Sequence, residues 1–155
     1  MTGEENKLDR LSKVRVLRAG STHFGLLEHE LATISAWRKP AQLPHAPPAV
    51  YGVVSIQGRM LTVLDPLLLL GPSAPDETFS PFYIVELKGD EQLALAVESV
   101  NDLIEVNTDK IQSDGTQEQI VLGLVQKNEE MIRVLDVKQL FPATIQGRER
   151  RRRKL

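Results

Sequence analysis

Any reactive chemistry in this 155-residue chain would have to come from a short list of side chains. The histidines are His23, His29 and His45, and no two of them stand four apart, the helical spacing that aims two imidazoles at one metal ion. Cysteine is absent, which removes thiolate metal sites, disulfides and a sulfur nucleophile together. Glu28-His29-Glu30 is the densest group of metal-binding residue types, and a solvated turn is its simplest reading. The glycines form neither G-x-G-x-x-G nor G-x-x-x-x-G-K-S/T, so no phosphate-cradling loop is written here. No serine sits in a G-x-S-x-G elbow. The expectation is a protein that is not an enzyme, with no catalytic residues, no cofactor and no metal site.

The elements that would position these side chains are mostly strands. Period-two alternation and β-branched residues recur between turn residues. "KVRVLRAG" ends at Gly20, and Thr22–Leu27 and Thr33–Arg38 read as strands separated by the turn "EHEL". "KPAQLPHAPPAV" is dense in proline and reads as an extended, solvated connector. "YGVVSIQG" and "RMLTVLD" read as strands joined at Gly58, with "PLLLLG" a short helical turn closing at Gly71. After the linker "GPSAPDETFSP" come "FYIVELKGDEQLALAVE", "VNDLIEV", the polar loop "SDGTQEQ", and the strands "IVLGLVQ" and "EMIRVLD" before "VKQLF".

That second series repeats the first. "GVVSIQGRMLTVLDPLLLL" from Gly52 aligns without gaps to "GLVQKNEEMIRVLDVKQLF" from Gly123, with identities that include Met60/Met131, Val63/Val134, Leu64/Leu135 and Asp65/Asp136. Earlier in each half, an offset of 69 lays Phe24 on Leu93, Leu26 on Leu95, Leu31 on Val100 and Ile34 on Leu103. The predicted organisation is a polar N-terminal tail over 1–13, a folded region over 14–142 with pseudo-repeat halves of about 14–71 and 82–142, and a basic tail over 143–155. Each half is too small to bury much core alone. The Asp after each Val-Leu is expected to cap a closing turn, its carboxylate accepting backbone N–H groups.

Charge is unevenly spread. The tail "ATIQGRERRRRKL" holds six of the 19 Lys and Arg and one of the 21 Asp and Glu, so it carries +5 and the rest of the chain −7. It has no interleaved aromatic residue, so specific nucleic-acid recognition is not indicated. The N-terminus does not resemble a signal peptide, and no apolar run is long enough for membrane insertion. A cytoplasmic protein is expected.

The stretch "LPHAPPAVYGVVSIQGRMLTVLDPLLLLG" resembles the CheW family of chemotaxis adaptor domains at Leu43, Pro44, Pro47, Gly52, Val53, Ile56, Gly58, Val63 and Asp65. "FGLLEHELATI" and "LALAVESVNDLIEV" extend the similarity from about Val14 to Pro142. The resemblance implies an all-β fold of two five-stranded SH3-like barrels with a hydrophobic groove between them. It also implies a non-catalytic adaptor of a chemotaxis-type, two-component signalling array. Its partners would be the regulatory domain of a CheA-like histidine kinase and the cytoplasmic tip of a chemoreceptor. Residues near the groove by this analogy are Leu31, Thr33, Gly52, Val54, Ile56, Gln57 and Gly58. Trp37 reads either as a core residue or, since tryptophan is enriched at binding hot spots, as a further protein-binding candidate. The family's Glu and Arg in this region are Thr33 and Gln57 here, its Asn is Ser55 and its Pro is Thr62. Two compensations are expected: a Thr33–Gln57 hydrogen bond in place of an ion pair, and Arg59 partly standing in for the missing cation. The alternative function is a small β-barrel binder of nucleic acid or an anionic surface, acting through "RERRRRKL".

Overall fold

The computed structural model describes residues 11–71, 77–107 and 120–144. β1 (Leu11–Ala19) and β2 (Thr22–Leu27) form a hairpin, and a 3₁₀ turn (Glu28–Glu30) leads into β3 (Leu31–Ala36). β4 (Val50–Ile56) and β5 (Arg59–Leu64) form a second hairpin, followed by a short helix, Pro66–Leu70. β6 (Tyr83–Leu87), β7 (Leu93–Val97) and β8 (Ser99–Asn107) restart the order. β9 (Val121–Lys127), β10 (Glu130–Leu135) and the 3₁₀ turn Val137–Gln139 complete it.

The strand expected over Thr33–Arg38 starts two residues earlier. Leu31 already pairs with Leu87, and the ladder ends before Trp37, whose N–H donates to the Phe82 carbonyl at 2.8 Å. Leu11, Ser12 and Lys13, placed by composition in the N-terminal tail, pair with Asn107, Val106 and Glu105. The rest of that tail, the expected loop over 113–119 and nearly all of the basic tail lie outside the described residues.

The strands form two five-stranded, barrel-like sheets, one ordered β8-β1-β2-β10-β9 and the other β3-β6-β7-β5-β4. Replacing each strand by its counterpart in the other repeat converts one order into the other. Even the parallel registers agree: Arg133 lies beside Phe24, and Thr62 beside Leu93. The barrels therefore do not coincide with the repeats. Each combines the first two strands of one repeat with the last three of the other.

Burial follows from this exchange. Val14, Val16, Val125, Ile132 and Val134 fill the interior of the first barrel. Val54, Ile56, Leu61, Val63, Ile84, Ala94 and Ala96 fill the second. A larger cluster joins the two barrels and includes Leu17, Phe24, Leu26, Leu64, Leu95 and Leu135. β7 sends Ala94 and Ala96 into its own barrel and Leu93, Leu95 and Val97 into the shared core, so every residue of "LALAV" is buried. A strand buried on both faces must read as a continuous apolar run, and this one does.

The repeated aspartates are caps. Asp65 accepts the Leu67 N–H at 2.9 Å, and Asp136 accepts that of Lys138 at 3.2 Å. Their own N–H groups donate to Ala49 and Ile120, both at 2.7 Å. A cap contributes about 1 kcal/mol, and a five-residue helix has almost no stability of its own. Burying Leu67 and Leu70 at roughly 2 kcal/mol each is therefore the larger force holding Pro66–Leu70 in place.

The proline connector is less solvated than its composition suggests. Pro40 is buried, and Ala41 bridges to Val53 through hydrogen bonds of 2.8 and 2.9 Å, lying along the free edge of β4. This approach explains Gly52, which has φ +149°: a Cβ there would sit 2.2 Å from the Ala41 carbonyl oxygen. Gly58, at φ +80°, has open space where its Cβ would be. Gly52→Ala is expected to cost roughly 3 kcal/mol, combining strain with a lost bridge, whereas Gly58→Ala costs roughly 1 kcal/mol of backbone strain alone. Chemical denaturation of the two variants checks that ordering, and equal losses would mean that the Ala41 contact gives way easily.

Candidate functional site

The candidate residues lie on β3, β4 and the turn between β4 and β5, but they do not form one surface. Val54 and Ile56 are 5% and 4% exposed and point into the second barrel. Gly52 is buried against Ala41. These three hold the β4–β5 hairpin in shape and offer nothing for a partner to touch. Gln57 and Gly58 are exposed at the tip of that hairpin, with φ values of 51° and 80° that suit a primed two-residue turn. Leu31 is half-buried against the shared core. Trp37 is half-buried too: it packs on the second barrel's interior, edge-on to Tyr51 with ring centroids 5.6 Å apart.

Thr33 belongs to a polar group that includes a residue absent from the sequence-based candidates. Its hydroxyl donates to Glu86 Oε1 at 2.9 Å, so the expected Thr33–Gln57 bond is replaced by one to β6. Arg59 binds the same carboxylate in bidentate fashion, with Nε 2.8 Å from Oε2 and Nη2 2.6 Å from Oε1. Arg59, expected to stand in partly for the family's cation, is thus engaged within the chain by Glu86. The signal was present in "FYIVELKG", where one carboxylate interrupts an apolar strand that the fold buries, and a buried carboxylate requires a cation or donors. Hydrogen bonding from Arg59, aided by Thr33, holds the Glu86 carboxyl below its ordinary pKa, against the opposing pull of burial. The same contact raises the already high pKa of Arg59.

This group works as a closure. β5 and β6 are not neighbours in the sheet, since β7 lies between them. Arg59 therefore spans from the start of β5 to β6, and Thr33 adds the edge strand β3. Beside it, Arg38 Nη1 donates to the Ser55 carbonyl at 3.0 Å, fastening the segment after β3 to β4. Tyr51 and Asp65 form a second, deeper polar contact. Burial, then the Asp65 charge, raises the tyrosine pKa. Burial also raises that of Asp65, although the Leu67 and Leu68 N–H groups and the Tyr51 hydroxyl oppose it.

An apolar face lies on the outside of the second barrel. Ile34 and Tyr83 are 43% and 40% exposed and share the outer side of the β3–β6 ladder with Ala36 and the buried Val85. Phe82, the residue before β6, is 60% exposed. The matching positions of the first barrel are Leu103 opposite Arg15 and Glu105 opposite Lys13. There Arg15 is engaged with Glu28, Nη2 lying 2.5 Å from Oε2. At these positions the pseudo-twofold relation breaks: one barrel carries Ile34, Ala36 and Tyr83, and the other carries Leu103, 39% exposed, among Arg15, Glu105 and Lys13.

Among the described residues, no group of three or more His, Cys, Asp or Glu side chains is arranged to hold a metal ion. No helix among them is long and apolar enough to cross a membrane. The fold defines a double-barrel β module assembled by exchange of strands between two repeats. The chain belongs to the family of CheW-like domains, whose family model matches residues 13–144. It is 26% identical over 132 residues to a probable chemotaxis protein CheW of Rhizobium etli, covering 82% of this chain and 85% of that one. It is 23% identical over 127 residues to the chemotaxis protein CheW of Bacillus subtilis, covering 81% of each. Among solved structures, the scaffolding protein TtCheW of Thermoanaerobacter tengcongensis shares the fold with a TM-score of 0.74 at 18% identity, over 84% of this chain and 87% of that one.

Removing Arg59 leaves the poorly exposed Glu86 carboxylate with Thr33 alone, whereas removing Glu86 leaves a guanidinium that water can reach. Arg59→Ala is therefore expected to lower the denaturation midpoint more than Glu86→Gln, and Arg59→Met/Glu86→Leu to recover part of the loss. Because the folded-state pKa of Glu86 lies below the unfolded value, its contribution is complete above the ordinary glutamate range and fades as pH falls through the folded pKa. Denaturation curves at neutral and acid pH test this: Glu86→Gln should lose less stability on acidification than the parent chain.

Proposed function

We propose that this protein is a non-catalytic scaffold of a chemotaxis-type signalling array. In this reading it couples the regulatory domain of a CheA-like histidine kinase to the cytoplasmic tip of a chemoreceptor. Family membership supports the setting, and the asymmetry between the barrels supports the mode of action. The observation that carries the proposal is the exposed strip of Ile34, Tyr83 and Phe82 beside half-buried Leu31. Exposed hydrocarbon of this kind, next to aromatic and Arg side chains, suits a protein partner better than a small solute or a polyanion.

Leu31, Thr33, Gln57, Gly58 and Trp37 keep a place in this proposal as the rim of the docking surface. Gly52, Val54 and Ile56 act through the shape of the hairpin. With Glu86 engaged, Arg59 offers a partner an oriented guanidinium whose charge is offset by the carboxylate beside it, instead of a free cation. Binding at such a surface should tolerate salt, because screening weakens exposed charges and leaves apolar contacts almost untouched.

The test is affinity capture from native lysate at moderate salt, read by mass spectrometry, with four baits: the full chain, the chain lacking residues 148–155, Ile34→Arg and Leu31→Arg. The first two are expected to retain a CheA-type kinase or a chemoreceptor, and Ile34→Arg to lose at least tenfold of it while keeping its circular dichroism. Leu31→Arg should lose as much, but touches the shared core, so Ile34→Arg decides. Capture that collapses on removal of 148–155 and fades with salt would favour the Arg-rich tail as an anionic-surface handle. Unchanged capture by Ile34→Arg would remove this face from the docking surface.

A further inference from the structure

Four of the strand ladders lie within a repeat, namely β1–β2, β4–β5, β6–β7 and β9–β10. The other four join one repeat to the other: β1–β8, β2–β10, β3–β6 and β5–β7. The shared core divides in the same way, with Leu17, Phe24 and Leu64 from the first repeat meeting Leu93, Leu95 and Leu135 from the second. Neither repeat can complete a barrel by itself. Between the helix ending at Leu70 and β6 beginning at Tyr83, the chain passes from one repeat to the other once.

Every contact that holds the repeats together is therefore a contact that two separate chains could also make. We propose that two copies of this protein exchange repeats reciprocally. Residues 11–71 of one copy close both barrels with residues 77–144 of the second, and the remaining halves do the same. Each barrel of the resulting dimer has the native strand order, register and core. Monomer and exchanged dimer then differ only in the path of the connector and in the entropy of association.

Concentration during folding decides between them. Glu77 accepts the Ser21 N–H at 2.9 Å and Phe79 packs on the core, so the repeats are joined over a short span, and an effective concentration on the order of millimolar makes dilute chains close on themselves. Once folded, either form persists, because exchange requires four ladders and the shared core to open together. The dimer carries two copies of the apolar face on one particle, which turns a single-site scaffold into a bivalent one.

The absence of cysteine allows a direct test in the full chain. Lys13 lies opposite Glu105 across the β1–β8 ladder. K13C and E105C, made as separate chains, are unfolded together, refolded at high concentration and oxidised. A covalent K13C–E105C heterodimer with native circular dichroism is expected, rising several-fold with protein concentration and absent when the two variants are mixed already folded. The double variant K13C/E105C should close the same disulfide within one chain, showing that the pair is competent. If it does so while the co-refolded single variants give no heterodimer, exchange is overturned. Light scattering on refolded wild-type chain decides independently. Only monomer up to about millimolar concentration, or a dimer that dissociates on dilution without unfolding, overturns the proposal whatever the disulfides do.

Discussion

β7 is apolar on both faces, and β2 carries Phe24 and Leu26 on one side and Gly25 and Leu27 on the other, so no single layer could bury either strand. One side of each must face its own barrel and the other side must face the second barrel. The core between the barrels satisfies both at once, and most other features follow from it. It fixes the separation of the barrels and supplies the surface on which the helix Pro66–Leu70 docks. It also makes the polarity of each barrel's outer strands matter, because only the residues beyond its edge remain free to vary. Arg133, on the β10 strand of the first barrel, donates to the Leu70 carbonyl at 3.0 Å, so the end of that helix is completed from the opposite barrel. Even the caps are shared property.

Closure of the second barrel is a smaller problem, solved with polar groups. An open sheet of five strands leaves two edges, and edges with unpaired N–H and C=O groups invite unwanted pairing. The Ala41–Val53 bridge and the Arg38 contact cover part of the β4 edge, while Arg59, Glu86 and Thr33 draw β3, β5 and β6 together. Glu86 needs this arrangement more than the arrangement needs Glu86. A carboxylate 7% exposed among apolar residues is costly unless ion-paired, while Arg59 retains contact with water. Such a pair fixes geometry more than it adds stability.

How much of this the sequence carried can be judged residue by residue. The repeat was visible because burial constrains the same positions twice, as at Leu64/Leu135 and Asp65/Asp136. Alternation located the strands, with β1 and β3 each beginning two residues earlier than expected, and "LALAV" displayed its double burial openly. The exchange of strands was not visible, since a repeat records which positions are equivalent and is silent about which copy each strand pairs with. The facing of β4 was ambiguous for a similar reason. Val53, Val54 and Ile56 are all apolar, so parity alone does not say which face turns inward, and Val54 and Ile56 prove to be interior. Glu86 was overlooked because its partners, Arg59 and Thr33, are 27 and 53 residues away along the chain, and nothing local announces such a meeting.

The departures from twofold symmetry are not dictated by the packing that the two repeats share. Two repeats under the same packing constraint keep the same core, the same caps and the same registers. They are free to differ where the constraint ends, on the outer faces of the barrels. There Ile34 opposite Val85 and Ala36 opposite Tyr83 in one barrel stand against Leu103 opposite Arg15 and Glu105 opposite Lys13 in the other. An exposed apolar strip lowers solubility and contributes little to the stability of the chain that carries it. The strip on one barrel, with Leu103 among charged residues at the matching positions of the other, is the feature on which the proposed docking rests. The same reasoning separates the residues of the candidate region: Gly52, Val54 and Ile56 have a packing explanation, while Ile34, Tyr83 and Phe82 stay exposed and are the residues on which the proposed docking depends.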